Sequence, residues 1–356
     1  MRSRYHKISG RIPPKRLMVI KGIFTLFFLS LTATVGFAEE ISYDYNHGLG
    51  TLNMLSQSPA QSLRLTLPMV VPGGIKPGLG AHAHTTWTNV WADRSEYLLD
   101  YEMLDTVLAV TYGFDKRFGL AVTFNNRNYF GGEMDNFIQE FHDLFGIRQN
   151  GRDEVPKDRK IVQLFDPETG KTAVELSAHD LNNNRIDLLL NYNISHGTQI
   201  WPAVNVYGTV SYALESAEVF KQDKQWDFGL GLGLAKRWSK SWYTYAAVGL
   251  SIFDDRELHE QVANVRPIEF EDYQLTGLFS LSWHYSPTFA ILAQYLYNGA
   301  AVKNIDGLDK PSHEVSLGFK WNTRRIGVVE FALIENVITY DNSPDFGLHV
   351  GWSYVF

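Results

Sequence analysis

The sequence lacks several features that would point to common functional classes. It contains no cysteine, which excludes a disulfide framework, a thiol nucleophile and a cysteine-bound metal. Beyond residue 38, no apolar run reaches the roughly 20 residues that a membrane-spanning helix needs. If the mature chain enters a bilayer, it must do so as a closed β-barrel, because only helices and closed barrels satisfy every backbone hydrogen bond there.

Basic residues are scarce outside the N-terminus. Residues 1–38 hold seven of the 32 basic residues and no acidic one, so the remaining chain has 25 basic residues against 39 acidic ones, a net charge of −14. Nucleic-acid binding depends on basic patches that neutralise phosphates. The composition therefore argues against a nucleic-acid partner.

The N-terminus has the features of a secretory signal peptide. A basic stretch precedes an apolar run over 23–35, and the small residues Gly36 and Ala38 occupy the −3 and −1 positions of a cleavage site. A transmembrane anchor is the alternative, but the run is too short to span a bilayer. We predict a signal peptide over 1–38, a periplasmic or plug segment over 39–77, and an outer-membrane barrel over 78–356.

The last eleven residues alternate between apolar and small or polar side chains. Since successive side chains of a strand point to opposite faces, this pattern predicts a strand with one lipid-facing side. Its apolar positions are Phe346, Leu348, Val350, Trp352, Tyr354 and Phe356. A strand that ends on an aromatic residue resembles the closing strand of bacterial outer-membrane β-barrels. The resemblance implies that the barrel-assembly machinery is a partner and recognises this strand, which ends at Phe356.

The same period of two recurs along the chain and predicts an all-β, antiparallel up-and-down barrel of about 12 strands. A further strand at Ser62–Val71 would raise the count to 14 with one more crossing. We also predict a bulge near Met103, where the apolar parity of one strand changes. The strands are predicted at 78–92, 96–114, 118–131, 184–195, 200–215, 225–238, 242–253, 271–285, 288–300, 312–323, 325–337 and 344–356.

The lengths of the connections support a membrane barrel. Counting back from Phe356, every second connection is a tight turn, and most of the others are long. Short periplasmic turns and long outer loops are typical of outer-membrane barrels. We therefore predict the bacterial outer membrane as the location, with its lipids and lipopolysaccharide as partners.

The connection over 132–183 is much longer than the others and is predicted to be extracellular. Its first part has apolar residues at helical spacing, which predicts an amphipathic helix on or inside the barrel mouth, and two short strands follow near 160–165 and 172–176. Loops of this length are usually functional or disordered. Two interpretations of this loop are compatible with the sequence. It gates the lumen, or it is a structured loop that only packs its own apolar face. The gate candidates are Phe137, Phe141, Phe145, Arg152 and Asp153.

Two motifs in this loop resemble those of a known family. They are the stretch from Phe141 to Ile147 and the stretch from Gly151 to Pro156. They are similar to a family of uncharacterised proteobacterial outer-membrane β-barrel proteins, known as a domain of unknown function. The resemblance implies a barrel and no assigned activity.

Charged and polar side chains of inward parity are the candidates for lining the lumen. Their mixed signs argue against strong ion selectivity and suit either a salt-bridged interior or small neutral or zwitterionic solutes. They are Arg127, Arg185, Asp187, Asp227, Arg237, Glu314, Lys320, Glu330, His82 and His84.

The sequence gives little support for catalysis. His284 and Ser286 form a His-x-Ser pair, but it falls at a predicted periplasmic turn, and His84 with Thr86 would be a weak nucleophile pair. We predict no catalytic residue, no metal site and no cofactor. The leading hypothesis is a narrow channel or transport protein for small solutes that loop 132–183 gates. A lipid-modifying hydrolase and a structural or surface-interaction barrel with a closed lumen are the alternatives.

Overall fold

The computed structural model describes residues 46–356, apart from 133, 147–155, 158, 167, 222–223, 260–261, 263–266, 337 and 339–341. The predicted signal peptide, Arg152 and Asp153 therefore lie outside the described residues.

The described chain contains fourteen strands, one α-helix and two short 3₁₀ helices, Gln61–Leu63 and Ala178–Leu181. The α-helix, α1, covers Asp135–Phe145. The strands are β1 (Gly78–Asp93), β2 (Tyr97–Gly113), β3 (Phe118–Phe130), β4 (Ile161–Phe165), β5 (Thr172–Leu176), β6 (Asn183–Ser195), β7 (Ala203–Glu215), β8 (Trp226–Arg237), β9 (Trp242–Ile252), β10 (Tyr273–Ser286), β11 (Phe289–Asn298), β12 (Ser312–Asn322), β13 (Val328–Glu335) and β14 (Phe346–Val355).

Twelve of these strands close into an antiparallel up-and-down barrel. Each pairs with its neighbours along the chain, β3 pairs with β6 across the long loop, and β1 closes the ring by pairing with both β2 and β14. Closure leaves no exposed sheet edge in the ring. The predicted barrel of about 12 strands is confirmed. Ser62–Val71, which gave the alternative of 14, forms no strand.

The two ends of the barrel differ in their connections. At one end, which we call the short-turn end, the connections are 114–117, 196–202, 238–241, 287–288 and 323–327, and Phe356 donates its backbone N–H to the Leu79 carbonyl there. At the other, the long-loop end, they are 94–96, 131–182, 216–225, 253–272, 299–311 and 336–345. The predicted division between tight turns and mostly long loops is present.

Strand alternation separates an exposed apolar face from a buried polar one. On β10, Leu275, Phe279 and Trp283 are exposed, whereas Thr276 and Ser282 between them are buried. Period-two alternation places these two sets on opposite sides of the wall. The outer face of the barrel is therefore apolar and the inner face is largely polar.

The predicted bulge in β2 is wrong. The pairing of β2 with β1 and with β3 runs through Met103 without a register shift. The apolar residues change from odd to even positions because the inward face is apolar near one end of the strand and the outward face is apolar farther along it. Tyr101 and Met103 belong to a buried apolar cluster near the long-loop end, whereas Leu108 and Val110 are exposed on the outer face.

The remaining two strands extend one side of the wall beyond the ring. β4 pairs with β5, and β4 also pairs with the long-loop end of β2 over Tyr97–Asp100. Both strands fall in the long loop where two short strands were predicted.

No helix among the described residues is both long and apolar enough to cross a membrane, a criterion that applies to helices alone.

Candidate functional site

Residues 46–77, which we call the inner segment, run up the inside of the barrel and back. The ascending half, residues 46–60, follows β12 toward the long-loop end. Asn322 donates to the His47 carbonyl (3.1 Å) and Lys320 to the Thr51 carbonyl (2.6 Å), and farther along β12 Glu314 contacts residues 56–58. The chain turns at Gln61–Leu63. The descending half, residues 64–77, returns to the short-turn end, where Pro77 bridges to Gly113. The lumen is therefore occupied by the chain itself.

Glu314 holds the upper part of the ascending half. Its carboxylate accepts hydrogen bonds from the hydroxyls of Ser56 (2.6 Å) and Ser58 (2.8 Å) and from the backbone N–H of Gln57 (3.1 Å). Glu314 is 1% exposed. Three donors on one buried carboxylate replace the water it gave up, so this contact fixes the segment strongly to the wall.

A second set of contacts lies where β12, β13, β14 and β1 meet. Lys320 and Glu330 form a buried ion pair (2.6 Å), and Glu330 also accepts the Asn53 backbone N–H (3.1 Å). The oxygen that accepts the Asn53 N–H, Oε1, also contacts His349 Nε2 (3.0 Å), and His349 Nδ1 contacts the Thr86 hydroxyl (2.8 Å). This places a hydroxyl, an imidazole and a carboxylate in a row, but Thr86 is fully buried.

Arg127 is the largest fully buried side chain of the wall. Its guanidinium pairs with Asp105 on β2 (3.2 Å) and donates to the Ser62 carbonyl (2.7 Å), the Ser56 carbonyl (2.9 Å) and the Thr66 hydroxyl (2.9 Å). Both halves of the inner segment are thereby bound to one guanidinium. Asp105 supplies the counter-charge.

The descending half meets two further charged groups. Arg185 pairs with Asp187 (3.4 Å) and donates to the Thr66 hydroxyl (2.9 Å). Asp227 accepts the Leu65 backbone N–H (3.3 Å) and pairs with Arg256 of the loop over 253–272 (2.9 Å). These pairs balance the buried charges within the wall and its loops.

The glycine-rich face of β8 provides room for the descending half. A Cβ on Gly233 would lie 2.3 Å from the Val70 carbonyl oxygen and 3.0 Å from Val71 Cα. A Cβ on Gly229 would meet Leu67 at 2.3 Å. Glycine in a strand often marks a close backbone approach, and the inner segment is what approaches here.

Arg237, His82 and His84 complete the predicted lumen set but form no common cluster. Arg237 lies near the short-turn end, half-buried, with its guanidinium over the Tyr243 ring at 5.8 Å. His82 lies 3.5 Å from the Thr111 hydroxyl, and the ring of His84 is 5.4 Å from that of His349. No group of three or more metal-ligating side chains occurs in the part of the chain that the structure describes.

Helix α1 packs on the outside of the barrel rather than in its mouth. Ile138 and Met134 form a buried cluster with Phe346, whose ring meets that of Phe137 edge-on at 5.5 Å. Phe346 is an odd number of positions from the inward-facing His349, so it faces outward. The wall therefore separates Phe137 from the lumen, and a role of Phe137 in gating stays a prediction.

The other gate candidates cannot be placed in the same way. The side chains of Phe141 and Phe145 lie outside the described part of the structure, as do Arg152 and Asp153. Among the described residues of the loop, the hairpin β4–β5 covers the lumen. Val162, Leu164 and Val174 join one apolar cluster with Ala60 at the turn of the inner segment and with Phe220 of another loop.

One stripe of the inner wall is polar but poorly paired. Along β10, five buried side chains that share the inward face have a polar atom with no hydrogen-bond partner in the described part of the structure. Leu278 interrupts the stripe. Most buried polar atoms in proteins are paired with protein groups or with water, so a polar row without protein partners is suited to water or to a polar solute. We call these five the β10 stripe: Gln274, Thr276, Ser280, Ser282 and His284.

The sequence-based list omitted several residues of this interior. Asp105 has the opposite parity to the exposed Leu108 and Val110, so alternation beyond Met103 would have identified it as inward. His349 lies on the polar face of the closing strand, where parity alone would have identified it as inward. Arg256 carries no pattern that sequence reasoning could use, since it reaches Asp227 from a loop.

Several solved barrel structures are similar to the chain at low identity. The COG4313 outer-membrane channel from Pseudomonas putida F1 matches at 10% identity with a TM-score of 0.47, covering 81% of this chain and 97% of that one. The CymD monoaromatic hydrocarbon channel matches at 11% identity with a TM-score of 0.39, covering 88% and 97%. The Pseudomonas putida toluene transporter TodX matches at 10% identity with a TM-score of 0.37, covering 90% and 99%. Identities near 10% say nothing about a shared substrate.

A search of the curated proteins finds no match. The family comparison is positive and covers almost the whole chain, from residue 27 to residue 356. It agrees with the resemblance found in the motifs of the long loop. The chain belongs to the family described as "Protein of unknown function (DUF3187)".

Proposed function

We propose that this protein is an outer-membrane transport barrel for small polar solutes, and that the inner segment is a plug that closes its lumen. The apolar outer face, the twelve-stranded closure and the division between short turns and long loops support the outer-membrane location. In this orientation the short-turn end faces the periplasm and the long-loop end faces outside. The basic and apolar N-terminus supports export through a signal peptide.

The observation that carries the transport proposal is the β10 stripe. A barrel whose interior served only to hold it closed would gain stability by pairing or replacing these polar atoms. Thr276, Ser280 and Ser282 instead leave hydroxyl groups available to a polar occupant. A solute that moves between the inner segment and β10 would find hydrogen-bond partners along the strand.

The plug would have to loosen for a solute to pass. The contacts that hold its ascending half are polar, and Glu314 is the centre of them. Hydrogen bonds to a charged group contribute roughly 1.5–3 kcal/mol each. Removing two of them would therefore raise the fraction of open barrels strongly without changing the wall.

Planar-bilayer recordings test this proposal. We expect rare openings of the wild-type protein and an open fraction at least about tenfold higher for the double variant Ser56→Ala, Ser58→Ala. The matched control is Ser177→Ala, in the long loop away from the inner segment. A Ser280→Val, Ser282→Val variant should open as often as wild type but carry less current. Silent bilayers with all variants would refute transport.

A closed structural or surface-interaction barrel is the second candidate. The apolar cluster at the long-loop end favours it, since β4–β5, Phe220 and Ala60 cover the lumen there with well-buried side chains. Under this hypothesis the serine variants lower stability but never conduct. The same recordings therefore separate the two functions.

A lipid hydrolase is the third candidate, and the row formed by Thr86, His349 and Glu330 is the geometry that it would use. Hydroxyl, imidazole and carboxylate are the groups of a nucleophilic triad. Thr86 faces the lumen and is fully buried, away from the lipid on the other side of the wall. We expect no turnover of phospholipid by the wild-type protein in mixed micelles. Turnover that Thr86→Val abolishes would favour the hydrolase instead.

A further inference from the structure

A cavity of about 70 Å³ lies near the short-turn end, between the two halves of the inner segment and the wall formed by β12, β13, β14 and β1. Its lining includes the side chains of Lys76, His82 and Lys320. Three groups that carry or can accept a positive charge therefore surround one small space. The chain beyond residue 38 has a negative net charge, so the basic lining of this cavity is opposite in sign to the chain as a whole.

The two lysines differ in how their charges are balanced. Lys320 is almost fully buried and pairs with Glu330 at 2.6 Å. Lys76 is half-buried and makes no hydrogen bond or ion pair with any described residue. Its ammonium lies against the backbone of the other half of the segment, where a Cβ on Gly48 would be 3.2 Å from Nζ. A partly desolvated ammonium without a counter-charge favours an anion in its reach.

The backbone around Lys76 leaves the space open. Gly48 and Gly73 both line the cavity and both have a φ of +82°, a conformation that residues with a side chain rarely adopt. Glycine at these two positions keeps side chains out of the cavity and exposes backbone to it. Side chains at these two positions would be strained, so the glycine backbone helps to keep the cavity open.

We propose that this cavity binds a small oxyanion, a carboxylate or phosphate group, through Lys76. A space of about 70 Å³ exceeds what one water molecule needs and is large enough for one such group. Lys320 and His82 also line the cavity and would add hydrogen-bond donors around the same group. The proposal deepens the proposed function, because it names small anions as the solutes that enter from the short-turn end.

The source of the anion is a dissolved solute rather than a lipid. The cavity lies on the inner side of the wall, and Val328 and Lys320, which line it, belong to closed neighbouring strands. A lipid headgroup would have to enter through the end of the barrel. Short-chain phosphatidylglycerol carries the same phosphate chemistry and can be tested beside the free ions.

Isothermal titration calorimetry on the full-length protein in uncharged detergent and low chloride tests this inference. Inorganic phosphate and acetate are titrated separately, with glycerol as a neutral probe of similar size. We expect saturable binding of phosphate and acetate, no binding of glycerol, and at least about tenfold weaker phosphate binding by Lys76→Gln. Lys240→Gln is the matched control, since Lys240 is exposed in a turn at the same end.

Three results would overturn the inference: no saturable anion binding by the wild-type protein, equal binding by Lys76→Gln, or binding of phosphatidylglycerol but not of free phosphate. The change in electrophoretic mobility that a folded barrel shows on heating checks that Lys76→Gln has folded. If it has not, Lys76→Arg, which keeps the charge, should bind like wild type. Binding is measured without transport, so anion binding in a protein that never conducts would refute only the transport proposal.

Discussion

Lys320 and Glu330 lie opposite each other on β12 and β13, with Nζ 2.6 Å from Oε2 and both side chains almost fully buried. Each also holds the inner segment, Lys320 through the Thr51 carbonyl and Glu330 through the backbone N–H of Asn53. The same two side chains therefore contribute to the charge balance of the wall and to the position of the inner segment.

Replacing Lys320 by methionine should destabilise the protein strongly. It leaves the Glu330 carboxylate buried without its ion-pair partner, a change that costs roughly 3–5 kcal/mol in proteins. The measurement is the urea dependence of unfolding in detergent. Lys221→Met is the control, because Lys221 and Glu257 form an exposed pair whose loss should cost at most about 1 kcal/mol. Equal effects of the two substitutions would contradict the buried pairing.

Gly233→Ala should displace the descending half of the inner segment. The new methyl group would overlap the Val70 carbonyl oxygen, and backbone atoms cannot move aside as a side chain can. The chain has no cysteine, so Leu67→Cys provides a single buried thiol on the descending half, three residues from Val70. We expect an impermeant maleimide to label Cys at this position slowly, and several times faster after Gly233→Ala.

Gly277→Ala is the matched control for that prediction. Gly277 also lies within a barrel strand, but a Cβ there would have its nearest neighbour at 3.9 Å, an ordinary contact. The substitution should leave the labelling rate unchanged. Faster labelling with Gly277→Ala would mean that the rate reports general loosening of the barrel.

Ile138→Asp should detach helix α1 without affecting the lumen. Ile138 is fully buried against the outer face, where a carboxylate would be desolvated without a partner. We expect faster proteolysis within the long loop and a conductance equal to that of wild type. Phe137→Ala, at a half-exposed position, should have a smaller effect on proteolysis. A changed conductance would instead indicate that α1 takes part in gating.

Asp115 should make the turn at 114–117 sensitive to acid. Its carboxylate accepts the backbone N–H groups of Phe118 and Arg117 (both 2.7 Å), and these hydrogen bonds lower the pKa of Asp115. A group with a depressed folded pKa stabilises the fold above its unfolded pKa, about 3.9, and this contribution is lost as pH falls through the folded value. Asp115→Ala should lower the urea midpoint slightly at pH 7, and the difference from wild type should shrink as the pH falls below about 3.9. Glu175→Ala, exposed on β5, is the control at each pH.

The strands and their faces could be predicted because the information is local. A strand such as Trp226–Arg237 places alternate residues on opposite faces, and six or seven residues are enough to reveal that period. Counting strands backward from the last one also predicted which connections are tight turns at one end of the barrel and which are long loops at the other. Where local pattern and surroundings diverged, as at Met103, the prediction of a bulge was wrong.

The sequence by itself therefore determined the number of barrel strands, their order and which face of each is apolar. The tertiary structure alone decided what fills the lumen and on which side of the wall α1 packs. The inner segment forms no strand, although Ser62–Val71 alternates, and its contacts join residues as distant as Ser58 and Glu314. The helix could be recognised by its apolar stripe, but a stripe does not reveal which surface will cover it. Only closure of the barrel provided an inner wall for the segment and an outer wall for the helix.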